Sequence, residues 1–104
     1  MRLVVDKRVY EKVIHFYDVA IDLHPSLDEI TVLRKEKRLF ESLQFLTIFP
    51  EAYGFAKHNQ AWEEAGYREF ICEDFHFAYT IRTLKSGEQV VLVVDAVHSL
   101  LYHE

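Results

Sequence analysis

Residues 66–98, GYREFICEDFHFAYTIRTLKSGEQVVLVVDAVH, decide the fold. YREFIC, FHFAYTIR and EQVVLVVDAV read as three strands, each rich in β-branched and aromatic residues. Glu73-Asp74 and Ser86-Gly87 sit where two-residue hairpin turns belong, and glycine tolerates the positive φ such turns require. Lys85 and Glu88 flank the second turn as an opposite-charge pair. With both turns two residues long, Arg68 falls opposite Tyr79, and Tyr79 opposite Val94. The next rows are Phe70, Phe77 and Ala96, then Cys72, Phe75 and His98. That face is nearly all apolar, so helices are expected to cover it. The other face carries Tyr67, Glu69, Ile71, His76, Ala78, Thr80, Arg82, Val91, Val93 and Asp95. It is mixed and is expected to stay open over part of its area. A slip of one residue in either hairpin exchanges the faces.

Upstream, RLVVD at residues 2–6 has the composition of a short strand. From Lys7 to Asp22 the period changes, and Tyr10, Val13, Ile14, Tyr17 and Ile21 fall on one helical stripe. Pro25 interrupts the pattern. Ser26, with Glu29 three residues on, has the capping-box spacing for a second helix over residues 27–48, ended by Pro50. Its charged middle, RKEKR at 34–38, is expected to be solvated, and LFESLQFLTIF to pack. FAKHNQAW at 55–62 reads as a short strand or a loop. The expected fold class is therefore α+β, in one domain over residues 1–104: an N-terminal strand, a helical hairpin and a C-terminal antiparallel meander, with the helices on one side of the sheet.

The totals agree with a packed domain: 50% of the 104 residues are hydrophobic and 14% aromatic. The formal net charge of -5 argues against a nucleic-acid grip spread over the whole surface, because phosphate contacts require a local excess of lysine and arginine. Cys72 is the single cysteine, which excludes an internal disulfide and fits a reducing cytoplasm. No Cys/His spacing marks a zinc site, and Asp6, Asp18 and Asp22 form no metal-binding pattern, so no metal or other cofactor is expected. The N-terminus lacks a signal-peptide run, and no stretch reaches the roughly 20 apolar residues of a membrane span.

The order of these elements, with FPEAYG after the second helix, GYREF, FHFAYTI, KSGE and then VVLVVDAVH, resembles the RelE/ParE superfamily of toxins from bacterial toxin–antitoxin modules. In architecture the resemblance covers the whole chain; in motifs it covers residues 50–102. It implies a plasmid-stabilisation type of toxin, bound and neutralised by an antitoxin protein. Ribonuclease members of the superfamily cut messenger RNA on the ribosome as mRNA interferases; another branch poisons DNA gyrase; a non-catalytic, repurposed interaction module is the remaining alternative. Two departures bear on this choice. His76 stands where the family brings an arginine to the open sheet face. The end of the last strand, where the family often carries consecutive basic residues, reads HSLLY.

Under the ribonuclease reading, the resemblance places the chemistry on His76, Arg82, His98 and Tyr102. His76 or His98 would move protons and Arg82 would hold the phosphate. Lys57, His58 and Arg68 would contact the substrate. These residues also have structural readings. His76 would be a solvated strand histidine next to a turn. Arg68 lies on the apolar face by register, where it would pair with a carboxylate at the edge. Arg82 and Asp95 would form a surface ion pair. His98 would be a hydrogen-bonded group at the edge of the core, and Lys57-His58 an ordinary loop pair. Tyr102 and His103 lie beyond the strand, where alternation no longer orients them.

Overall fold

The computed structural model describes residues 1–102; His103 lies outside them. The elements in chain order are β1 (Arg2–Val5), α1 (Lys7–Leu23), α2 (Glu29–Ser42), a 3-10 turn (Leu43–Thr47), α3 (Gln60–Ala65), β2 (Arg68–Cys72), β3 (Phe75–Thr83), β4 (Gln89–His98) and a closing 3-10 turn (Ser99–Leu101). The four strands form one sheet in the order β1-β4-β3-β2. The meander β2-β3-β4 is antiparallel, and β1 runs parallel to β4 along its edge. The α+β class with an N-terminal strand, helices and a sheet is thus what the chain adopts.

The β2–β3 hairpin has the expected register, from Arg68 opposite Tyr79 to Cys72 opposite Phe75. Its two-residue turn places Glu73 at φ 54°, a left-handed conformation that glycine tolerates better. The RKEKR run braces this turn, with Lys35 Nζ 3.8 Å from Asp74 and Arg38 Nε 3.6 Å from Glu73. Part of that run therefore docks on the sheet instead of being wholly solvated.

The second hairpin differs from the expectation. Leu84 N–H donates to the Glu88 carbonyl (2.8 Å), Gly87 N–H donates to the Leu84 carbonyl, and Gly87 sits at φ 91°. This is a three-residue loop, Lys85-Ser86-Gly87, whose left-handed last position needs glycine. The extra residue displaces the register by one, so Tyr79 faces Val93 and not Val94. A β-bulge at Val94 then takes up the displacement, and Ala78–Asp95, Phe77–Ala96 and Phe75–His98 pair as the sequence suggested. Consequently Val91 and Val93 lie in the main core, on the face opposite to the one expected, while Asp95 stays on the mixed face.

The helices fill the apolar face with Val9, Val13 and Tyr17 of α1 and Val32 and Leu39 of α2. The expected stripe on α1 is rotated: Tyr10 and Ile14 are 41% and 43% exposed, whereas Val9 is fully buried. The N-cap of α2 is Asp28, whose carboxylate accepts from Ile30 N–H, and not Ser26. The second helix also ends earlier than expected, at Ser42, where the chain tightens into the 3-10 turn.

The mixed face is less open than expected. Asn59 caps α3 by accepting from Trp62 N–H, and Gly66, at φ 76°, closes it. The segment at 55–62 is thus neither a plain loop nor a full strand. Phe55 makes a single bridge to Arg68, and the helix begins at Gln60. Trp62 and Ala56 pack with Ala78 into a second small core that Tyr67, Val94, Val97 and Tyr102 border.

Tyr17 tests the main core. Its ring is buried against Phe16 and Phe75, and among the described residues its hydroxyl has no hydrogen-bond partner. Burial first, then the nearby carboxylates of Asp74, Glu73 and Glu36, pushes its pKa up to about 12. The folded state therefore holds this proton between pH 10 and about 12 where the unfolded chain releases it, so stability falls as pH rises through that window. Tyr17→Phe should be neutral or stabilising by up to about 1 kcal/mol at pH 7 and should lessen the alkaline loss, as read by urea unfolding at pH 7 and above pH 10.

Candidate functional site

The mixed face brings together two of the residues singled out in the sequence, His76 and Tyr102, and adds one that was not, Glu69. His76 on β3 and Glu69 on β2 lie side by side because Ile71 and Ala78 are their respective cross-strand partners. His76 Nδ1 is 3.4 Å from Glu69 Oε2. Tyr102 arrives from beyond β4. Its hydroxyl donates to the other oxygen, Glu69 Oε1, at 2.5 Å, and its ring stacks on His76 with centroids 4.0 Å apart and planes 11° apart. The His76 and Glu69 side chains are only 15% and 14% exposed, so these contacts are partly shielded from water.

A second carboxylate anchors the surroundings. Asp95 Oδ2 accepts from the Trp62 indole N–H at 3.1 Å, while Asp95 Oδ1 meets the Lys12 ammonium of α1. One side chain thus ties both helical layers to β4. The ion pair expected between Arg82 and Asp95 does not form, because Asp95 lies opposite Ala78, four residues and so about 13 Å along β3 from Arg82. Trp62 in turn lies 5.8 Å from the Tyr102 ring. Beside Tyr102 opens a cleft of about 490 Å³, lined by Asn59, Gln60, Ala61, Glu64, Val97, Leu101 and Tyr102. Val97 is the cross-strand partner of His76, which places the histidine next to this cleft.

The remaining candidates lie elsewhere. Arg82 is exposed near the far end of β3, six residues and so about 20 Å along the strand from His76. His98 is on the helix-covered face, stacked on Phe16 at 3.8 Å and edge-on to Phe75. Its Nδ1 accepts from Leu100 N–H (3.1 Å) and caps the closing 3-10 turn. Arg68 donates to the carbonyls of Tyr53 (2.7 Å) and Glu51 (3.4 Å) and lies over the Phe55 ring at 4.1 Å. Its structural partners are therefore backbone oxygens and not the expected carboxylate. Together with Tyr79, whose hydroxyl donates to the Pro50 carbonyl, it fixes the 50–55 loop. Lys57 and His58 border a neighbouring shallow cleft with Gln60, Glu63 and Glu64.

Chemically, His76 and Tyr102 both carry groups that can hold or release a proton, and one carboxylate joins them. Among the described residues, no group of three or more His, Cys, Asp or Glu side chains is arranged to hold a metal ion. No described helix is long and apolar enough to cross a membrane. Comparison of the chain with protein-family models, curated proteins and solved structures finds no match.

Burial lowers the pKa of His98 from its ordinary value near 6.5, against a smaller upward pull from Asp74. The unfolded chain therefore takes up a proton below pH 6.5 that the folded chain refuses, and this contribution to stability is lost as pH falls below that value. His98→Asn keeps an acceptor for Leu100 N–H but cannot titrate. Thermal unfolding from pH 7.5 down to about pH 5 should show a shallower acid loss in this variant than in the parent.

Proposed function

We propose that the chain is the toxin-like member of a bacterial toxin–antitoxin pair of the RelE/ParE type, neutralised by a partner antitoxin. Its reaction is a ribosome-dependent cut in messenger RNA, with His76 and Tyr102 as the proton-handling groups. The observation that carries this reading is the His76–Tyr102 stack on Glu69, beside the cleft and on the sheet face away from the main helices. The strand, helical hairpin and meander order supports the family assignment.

In such a cut the ribose 2′ hydroxyl attacks the adjacent phosphorus while a base accepts its proton and an acid protonates the departing 5′ oxygen. His76 suits the first task, and the Tyr102 hydroxyl suits the second when the departing 5′ oxygen replaces Glu69 Oε1 as the acceptor of its one proton. The charge that builds on the phosphate needs a cation. Arg82 is too distant along β3 to supply it, and Lys12 is committed to Asp95. The site therefore depends on its ribosomal setting for that charge, which limits it to substrate held there.

A second reading, binding to a protein such as DNA gyrase without catalysis, is favoured by one feature. Phe45, Ile48, Phe49 and Phe55 are all more than half exposed around the fixed 50–55 loop, and clustered apolar surface marks protein contact sites.

Expression without a partner should arrest growth; a neighbouring gene should encode a small antitoxin, and co-expression of that product should relieve the arrest. His76→Ala should abolish the arrest, with a loss of about 10²-fold or more in the rate of message cleavage, followed by primer extension on translated transcripts. If His76→Ala combined with Tyr102→Phe stays as toxic as the parent and no cut sites appear, protein binding is the function. If nothing is toxic and no partner binds, both readings fall.

A further inference from the structure

We infer that Glu69 is a positioning residue: it selects the Nδ1–H tautomer of His76 and so makes Nε2 the atom that takes the proton. This deepens the ribonuclease reading of the site and, for its catalytic meaning, rests on it.

The inference starts from what a carboxylate does. An ionised carboxylate only accepts hydrogen bonds. Glu69 is approached by two groups, one on each oxygen: the Tyr102 hydroxyl at Oε1 and His76 Nδ1 at Oε2. For the second contact to be favourable, Nδ1 must carry the hydrogen. In the neutral ring that leaves the lone pair on Nε2. Free imidazole side chains in water prefer the opposite form, with the hydrogen on Nε2, so the arrangement reverses an intrinsic preference.

Three further observations bear on the ring. The parallel stack with Tyr102 fixes the plane of the ring, and the carboxylate fixes which edge faces β2. The Glu69 and His76 side chains are both mostly buried, so water competes weakly for the carboxylate. The two strands that carry them are in direct register, which sets their spacing from the backbone without help from a loop. When Nε2 accepts a proton, the same carboxylate lies against the imidazolium that results and steadies it. One side chain thus aligns the base with its neighbour Tyr102 and stabilises the charge the reaction creates. Glu69 itself transfers no proton in this scheme.

The test reads the ring directly. In ¹⁵N-labelled protein at about pH 9, where an ordinary imidazole is neutral, long-range ¹H–¹⁵N correlations distinguish the two tautomers of His76. The parent should show the Nδ1–H form, Tyr102→Phe should keep it, and Glu69→Ala should shift the tautomer ratio about tenfold or more toward Nε2–H. Glu69→Gln, whose amide has one accepting oxygen for two donors, should give a smaller shift in the same direction and serves if Glu69→Ala does not fold. An Nε2–H ring in the parent, or a ratio unchanged in both Glu69 variants, overturns the inference. The outcome is separable from the function: an Nδ1–H ring that Glu69→Ala reverses, in a protein that arrests nothing, leaves the tautomer assignment standing while the ribonuclease reading fails. Arrest relieved by His76→Ala, with a tautomer indifferent to Glu69, overturns this inference alone.

Discussion

The β-bulge at Val94 is the constraint on which the rest of the sheet depends. Side chains in a strand alternate between faces, so a one-residue change of register moves every following residue to the other side. The three-residue loop at Lys85–Gly87 introduces one such change between β3 and β4, and the extra residue at Val94 cancels it. Between loop and bulge, Val91 and Val93 enter the main core beneath the helices. After the bulge, Ala96 and His98 enter that core, and Asp95 and Val97 turn to the second face. Without the cancellation Asp95 would be driven toward the main core. A carboxylate there would lose the Trp62 indole and lie among apolar side chains, at a cost of several kcal/mol.

From that placement follows the site. Asp95 on the second face accepts from Trp62 and draws α3 against Ala78. The packed Trp62 then gives the Tyr102 ring a wall to rest beside, and Tyr102 reaches Glu69 and His76. The chain places His76 and Glu69 on paired strands, brings Tyr102 to them from beyond β4, and borders the three with a small aromatic core. The main core under α1 and α2 supplies the stability. The second core supplies the geometry. His98 belongs to the first of these, since its stacking on Phe16 and its cap on the closing turn account for both faces of its ring chemistry.

Much of this was legible in the residues. The meander, the N-terminal strand and the helical hairpin follow from periodicity, and the β2–β3 register follows from the two-residue turn. The β3–β4 register was legible only in its second half. A loop of two residues and a loop of three with a compensating bulge leave the same pairing at Phe75–His98, and no local signal in VVLVVD marks where an extra residue sits. The short helix α3 carried a readable signature that the aromatic and basic residues around it obscured: Asn59 as a cap, Gly66 as a stop. In α2, Asp28 and Ser26 are both good cap types, and the structure uses Asp28. His76 and Tyr102 could be singled out by type. Glu69 could not, because its significance lies in its cross-strand neighbour and in a tyrosine 33 residues away.

The central claim is that a register change and its reversal put the core on one face and the His76–Glu69–Tyr102 cluster on the other. Cross-strand nuclear Overhauser effects in isotopically labelled protein test it most directly. The account predicts contacts that pair Tyr79 with Val93 and Ala78 with Asp95, with Val94 unpaired between them. An uninterrupted ladder that pairs Tyr79 with Val94 would contradict it, since Val91 and Val93 would then leave the main core.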